Sequence, residues 1–260
     1  MSSRAEVFRL LGAVVAGGIR HFDTARSYGR GISEKLLGEF FRAHGDAFAV
    51  TTKCGVTYAK TAGIPTAVAL PANRVLTGLR KKVTGGLGLR LGKATDHRLQ
   101  ATGKLHLPSA KAPQITRDVV EKSVEESMRQ LGRGRLDIFL LHEALPEQLA
   151  PEAWEYLEGA KQAGVIGKLG VGTNRGVLEE RFQEEPRVEV LQYEGSVTER
   201  LPLMERFPGK MHIHHSLFRE CGPGGHGEVL RRALERNPGG KVIFSTRSRE
   251  HLRENLEGLS

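Results

Sequence analysis

Four residues able to hold or move a proton fall at, or just after, the ends of short apolar segments. Asp23 and Tyr28 lie in GIRHFDTARSYGRGISEKLLGE (residues 18–39), Lys53 in FAVTTKC (48–54) and His142 in DIFLLH (137–142). Singly, each has an ordinary explanation: Asp caps turns, a lone Tyr packs half-buried, Lys is solvated, and a strand-end His is commonly structural. Together they make one device. An ammonium beside a phenol favours the phenolate and lowers the tyrosine pKa from about 10. A carboxylate paired with that lysine fixes it and keeps it charged, and an imidazole beside the phenol can hydrogen-bond a carbonyl oxygen. Such a set is a proton donor poised at a carbonyl, the acid half of a hydride transfer. None of the four can carry hydride, so a nicotinamide would have to supply it.

Those residues need a scaffold that brings strand ends together. β-type runs at 19–23, 48–54, 137–142, 167–172, 188–193, 210–216 and 241–246 alternate with helical patterns. The helices are expected at 4–16, 33–43, 116–132, 151–164, 175–184, 198–207, 225–236 and 248–256. Val119, Val120, Val124, Met128 and Leu131 are expected on one stripe of the third helix, closed by Gly132. Alternating β and α elements predict a parallel sheet covered by helices, of the α/β (β/α)8 TIM-barrel type, with chemistry at the C-terminal strand ends.

At 260 residues the chain suits one such barrel domain over residues 1–260. The formal charge of +9 is concentrated in residues 56–113, where ten bases face a single acid, Asp96. This Gly- and Pro-punctuated stretch is too long for an ordinary βα loop and reads as a basic insertion at the barrel mouth. It would suit an anionic substrate. Its only aromatic is Tyr58, so nucleic-acid binding is the lesser reading. The loop 217–227 is a second expected contributor to pocket shape. Cys54 and Cys221 give neither a disulfide framework nor a metal spacing, and no metal is expected. No run of about 18 apolar residues exists and the opening segment lacks a cleavage site, so neither membrane span nor signal peptide is expected. A reducing compartment, the cytoplasm, is the expected location.

GIRHFDTARSYGRGISEKLLGEFF, AVTTKCG and LGRGRLDIFLLHE resemble the aldo-keto reductase superfamily, and the likeness runs on to STRSREHLRENL at the C-terminus. The resemblance implies Tyr28 as general acid/base, Lys53 and Asp23 as its tuning pair, and His142 as the orienting group. It implies a nicotinamide held near Thr173, Asn174 and Gln192, with His215 where family members usually stack an aromatic ring. In place of the family's usual Ser-Asn pair stand Gly172 and Thr173, with Asn174 next door. It also implies an adenine-side site of Ser245, Thr246, Arg247 and Ser248, with Glu254 and Asn255 on the adenine. The family's usual Lys and Arg are absent from the places of Ser245 and His251, and Arg247 or Arg249 would compensate, which favours NADP(H) over NAD(H). The substrate would be a small carbonyl or alcohol: an aldehyde, a ketone or a sugar.

Seven strands are found where a full barrel has eight, and the chain opens on a helix. A start assigned too late, closure with seven strands, or part of residues 56–113 (or a partner subunit) filling the place would each account for this. Two other functional readings stand beside hydride transfer. One is a non-redox relative using the Tyr/Lys/His site for dehydration or cyclisation. The other is a binding or regulatory protein on the same scaffold.

Overall fold

A parallel strand must be followed by a crossover before the next, and a helix is the usual crossover. In the computed structural model, which describes residues 3–45, 47–55, 114–220 and 225–259, helices and strands alternate throughout. The strands are β1 (His21–Asp23), β2 (Ala49–Cys54), β3 (Leu136–His142), β4 (Ile166–Gly172), β5 (Val190–Glu194), β6 (Met211–His215) and β7 (Lys241–Val242). They pair in parallel, in chain order, as one curled sheet, an incomplete (β/α)8 barrel. The helices are α1 (Arg4–Ala16), α2 (Ser33–His44), α3 (Arg117–Leu131), α4 (Pro151–Gln162), α5 (Arg175–Arg181), α6 (Pro202–Arg206), α7 (His226–Glu235) and α8 (Arg249–Glu257). Residues 56–113 and Cys221 lie outside the described residues, as does part of the loop 217–227.

The ends of the helices follow from local chemistry. Ser3 and Glu6 form a reciprocal capping box on α1, Ser248 caps α8, and Gly132 ends α3 in the left-handed region. Two helices are shorter than their patterns suggest. α5 stops at Arg181 because Phe182 turns extended and buries its ring completely. α6 begins only at Pro202, since the Ser196 hydroxyl accepts the N–H groups of Thr198 and Glu199 and holds that stretch in a turn.

Strand alternation sorts the side chains into two cores. Outward-facing Phe22 packs edge-on against Phe41 and Phe48 beneath α2, with ring centroids 5.5 and 5.7 Å apart. Its neighbours His21 and Asp23 therefore face the barrel interior. The same period turns Val50, Thr52 and Cys54 outward and Thr51 and Lys53 inward. The interior core is small: Ile138, Leu140, Val190 and Ile213, flanked by Met211 and Ile243. Gly170 is needed there, because a Cβ would lie 2.4 Å from the Val190 carbonyl oxygen and 2.6 Å from Leu140.

Seven strands do not close the barrel, which corrects that alternative. Among the described residues β1 and β7 are the free edges of the sheet, and they are its shortest strands. Between them lies a cleft of about 590 Å³ lined by Leu10 and Val14 of α1, His21, Ile243 and Leu234. α1 packs against both α2 and α8 and so roofs this seam. β7 ends at Val242 rather than at residue 246; beyond Ile243, whose N–H reaches the His214 carbonyl, the strand has no second neighbour among the described residues.

Candidate active site

Register sets the heights of the inward-facing side chains. Asp23 pairs with Thr51, Lys53 with Leu140, His142 with Gly172, Gly172 with Gln192, and Glu194 with His215. The C-terminal ends of β1, β2, β3, β5 and β6 thus each present one polar side chain to the same mouth. Tyr28 comes from the short turn after β1, a single 3-10 turn spanning Tyr28–Arg30. Gly29 (φ 59°) and Gly31 (φ 86°) take left-handed conformations that let the chain reverse tightly into α2.

The Lys53 ammonium is the hub, with only 2% of the residue exposed. Its Nζ donates to Asp23 Oδ1 at 2.5 Å, to the Thr24 carbonyl at 2.9 Å and towards Tyr28 Oη at 3.4 Å. Three donors meet three acceptors, so the buried charge is both paired and fully hydrogen-bonded, as burial requires. Nζ also lies 4.8 Å from the centre of the phenol ring. The His142 ring stands edge-on to that of Tyr28, centroids 5.8 Å apart. The four residues singled out from the sequence therefore meet.

The expected depression of the phenol pKa does not hold. Burial, the largest influence, pushes Tyr28 above its ordinary value of 10.0, Lys53 pulls it down, and Asp23 and Glu143 push it up again. The phenol is accordingly kept protonated at neutral pH and can act as a hydrogen-bond donor and acid.

The remaining sequence-derived positions fall into two groups. Near the proton site, Thr173 is buried and its hydroxyl donates to Glu143 Oε2 at 2.9 Å, while Gln192 Nε2 donates to Asp23 Oδ2 at 2.7 Å. His215 ends β6, donates or accepts at Ser216 Oγ (2.9 Å), and is held below its ordinary pKa chiefly by burial. Asn174 is turned away into α5: Oδ1 caps Gly176 N–H at 2.9 Å and Nδ2 reaches Glu194 at 3.2 Å. The second group lies at the start of α8. There the Thr246 hydroxyl donates to the Ser248 carbonyl at 2.9 Å and accepts the Ser248 N–H at 3.3 Å, Ser245 and Arg247 are exposed, and Glu254 is exposed on the helix. Asn255 is 1% exposed, and its Oδ1 has no partner among the described residues.

Two features have no signal in the sequence pattern. Glu34, 3% exposed on α2, accepts a 2.6 Å hydrogen bond from Thr52 and so braces the outer face of β2 directly before Lys53. Glu143 and Ser216, each directly after an inward-facing histidine, have φ of 54° and 62°. Non-glycine residues held there carry strain of about 1–3 kcal/mol, which often marks a functional mouth. Among the described residues no His/Cys/Asp/Glu cluster could hold a metal ion.

Geometry and fold together define a parallel α/β barrel carrying a lysine-anchored tyrosine at its C-terminal mouth. The chain belongs to the aldo/keto reductase family, whose model matches residues 1–198. It is 29% identical over 174 residues to a D-threo-aldose 1-dehydrogenase from a Pseudomonas species, an alignment covering 65% of this chain and 44% of that protein. The chain spans less than half the length of the curated relatives it matches. Among solved structures it is similar in fold to a Pseudomonas aeruginosa protein assigned to the aldo-keto reductases, at 17% identity and TM-score 0.65, covering 100% of this chain and 86% of that one. An aldo-keto reductase from Bacillus halodurans in its holo form gives 16% identity and TM-score 0.60, covering 100% of this chain and 82% of that one.

Proposed function

We propose that this chain is a nicotinamide-dependent oxidoreductase that interconverts a small carbonyl compound (aldehyde, ketone or sugar) and the corresponding alcohol. The observation that carries this reading is the Tyr28–Lys53–Asp23 set, a phenol tied to a buried, saturated ammonium at the barrel mouth. A pure binding protein has no need of it. The aldose named for the Pseudomonas relative is consistent with a sugar substrate.

Residues present fit a dinucleotide at both ends. Gly172 leaves space beside Gln192, for a Cβ there would lie 3.2 Å from Gln192 Oε1, and Thr173 offers a buried hydroxyl next to it. Asn255 offers an unpartnered acceptor on α8. Ser245, Thr246, Arg247 and Ser248 form the turn entering α8, where hydroxyl groups and the exposed Arg247 guanidinium suit a phosphate and favour NADP(H) over NAD(H). Thr173, Gln192 and His215 would face the nicotinamide, and Glu254 the adenine. When bound, that cofactor supplies or accepts the hydride.

The chain's own residues handle the oxygen. His142 and Tyr28 hydrogen-bond the carbonyl oxygen, which aligns it and polarises the carbon. As negative charge develops on that oxygen, Tyr28 transfers its proton to it, and Lys53 steadies the phenolate left behind. Asp23 keeps the ammonium in place. In the oxidative direction the same phenolate takes the alcohol proton. Cys54 and Cys221 are spaced too far apart in sequence to suggest a disulfide framework, which suits a reducing compartment, the cytoplasm, and we read residues 1–260 as one barrel domain.

Fluorescence titration with NADPH and NADH, followed by NADPH oxidation with a panel of aldehydes, ketones and aldoses, tests the proposal. Cofactor binding with carbonyl-dependent oxidation is expected. Binding of neither nucleotide would remove the redox reading in favour of proton transfer alone.

A further inference from the structure

Asp23 has two carboxylate oxygens, and Lys53 takes only one. The other, Oδ2, accepts a 2.7 Å hydrogen bond from Gln192 Nε2, which reaches across the barrel interior from β5. Gln192 is 4% exposed. A carboxylate can only accept and an amide nitrogen can only donate, so this contact fixes which way the amide faces. Its oxygen is turned towards Gly172 at the end of β4.

We propose that Gln192 is a positioning residue for proton transfer by Tyr28, acting through Asp23: its amide holds the outer carboxylate oxygen and so sets how much of that charge Lys53 must neutralise. This rests on the oxidoreductase reading for its purpose, though not for its test. The groups facing the phenol are Lys53 from β2, Asp23 from β1, Glu143 directly after β3 and His142 from β3, while His215 of β6 faces Asp23 and Lys53. Of these, Lys53 favours the phenolate whereas Asp23 and Glu143 oppose it. A donor on Oδ2 draws carboxylate charge away from the Lys53–Tyr28 side. Without it that charge bears wholly on Lys53, which then does less for the phenolate. The phenol pKa must rise.

The ionisation midpoint of Tyr28 can be followed by NMR with ring-labelled tyrosine in the free protein, and its resonance assigned with Tyr28→Phe. Gln192→Met keeps the length of the side chain and has no N–H to donate; it is expected to raise the midpoint by about one pH unit. Gln192→Glu is nearly isosteric and ionised where phenols titrate, so it is expected to raise the midpoint further than Gln192→Met. Tyr156 and Tyr193 should titrate as in the parent. Unchanged Tyr28 midpoints in either folded variant would overturn the proposal, as would an equal shift of Tyr193, which would mark general loosening. The titration uses no cofactor or substrate. Absence of hydride transfer would therefore sink the functional reading alone, and absence of a Tyr28 shift would sink this one alone.

Discussion

Among the described residues two clusters combine a tyrosine with histidines. One is the mouth of the barrel, with Tyr28, His142 and His215. The other lies on the outer face of the sheet, where Tyr193, His212 and His214 are all buried. There Tyr193 Oη meets His212 Nδ1 at 2.8 Å, His212 Nε2 meets the Phe207 carbonyl at 3.0 Å, and the Asn237 amide bonds the His212 backbone oxygen. Burial pushes the Tyr193 phenol well above its usual range and lowers both histidines, His214 to about 4. Every group in the outer cluster is thus neutral near pH 7. The inner cluster differs by a single ion pair, Lys53 with Asp23, and by facing a mouth instead of a helix layer. Residue types do not make a reactive site; a held charge beside an accessible phenol does.

The sharpest way to break this contrast is to remove each phenol in turn. Tyr28→Phe is expected to lower kcat by about 100- to 10,000-fold while leaving NADPH affinity and melting temperature nearly unchanged. Comparable turnover in Tyr28→Phe and the parent would deprive the inner cluster of its role. Next in size is Lys53→Met, which strands Asp23 with its Gln192 partner alone. Breaking a buried pair in this way costs about 3–5 kcal/mol, readable in urea unfolding.

The outer cluster is exposed by acid. His214 holds a folded pKa of about 4 against an ordinary 6.5, and His21, inside the barrel, does likewise. The unfolded chain takes up a proton that the folded chain refuses, so stability falls as pH drops below about 6.5 and levels off below about 4. Each such imidazole contributes about 1.4 kcal/mol per pH unit within that window. His214→Leu should flatten the slope of unfolding free energy against pH by that amount; an unaltered slope would show that His214 is not held neutral. The smallest effect belongs to Tyr193→Phe, which loses one buried hydrogen bond. A cost of about 1–2 kcal/mol in stability is expected, with kcat within about twofold of the parent. A large fall in kcat there would erase the distinction between the clusters.

Strand and helix positions were legible because the period-2 and period-3.6 patterns are local. HFD ends on Asp23 and AVTTKC carries Lys53 next to its end, and a parallel sheet puts both at the same C-terminal edge. The Asp23–Tyr28 spacing was legible for a similar reason, since a strand end and a tight glycine turn bring five residues within reach of one another. What no local pattern supplied was electrostatic or contextual. The Tyr28 pKa was misjudged because sequence supplies the ammonium but not the degree of burial that outweighs it. Asn174, a cofactor candidate by position, has both ends of its amide engaged with Gly176 and Glu194, a choice set by where α5 starts and by the β5 neighbour.

The amino-acid sequence by itself determined the order of strands and helices and pointed to the four residues, Asp23, Tyr28, Lys53 and His142, that meet at the barrel mouth. These depend on short-range periodicity and turn chemistry. Only the tertiary structure decided that Lys53 spends all three donors, that Gln192 crosses the barrel to Asp23, that Glu34 braces Thr52, and that among the described residues β1 and β7 remain the edges of the sheet. Each is a contact or a gap between segments far apart in the chain. Its existence depends on sheet register and curvature, which no local pattern encodes.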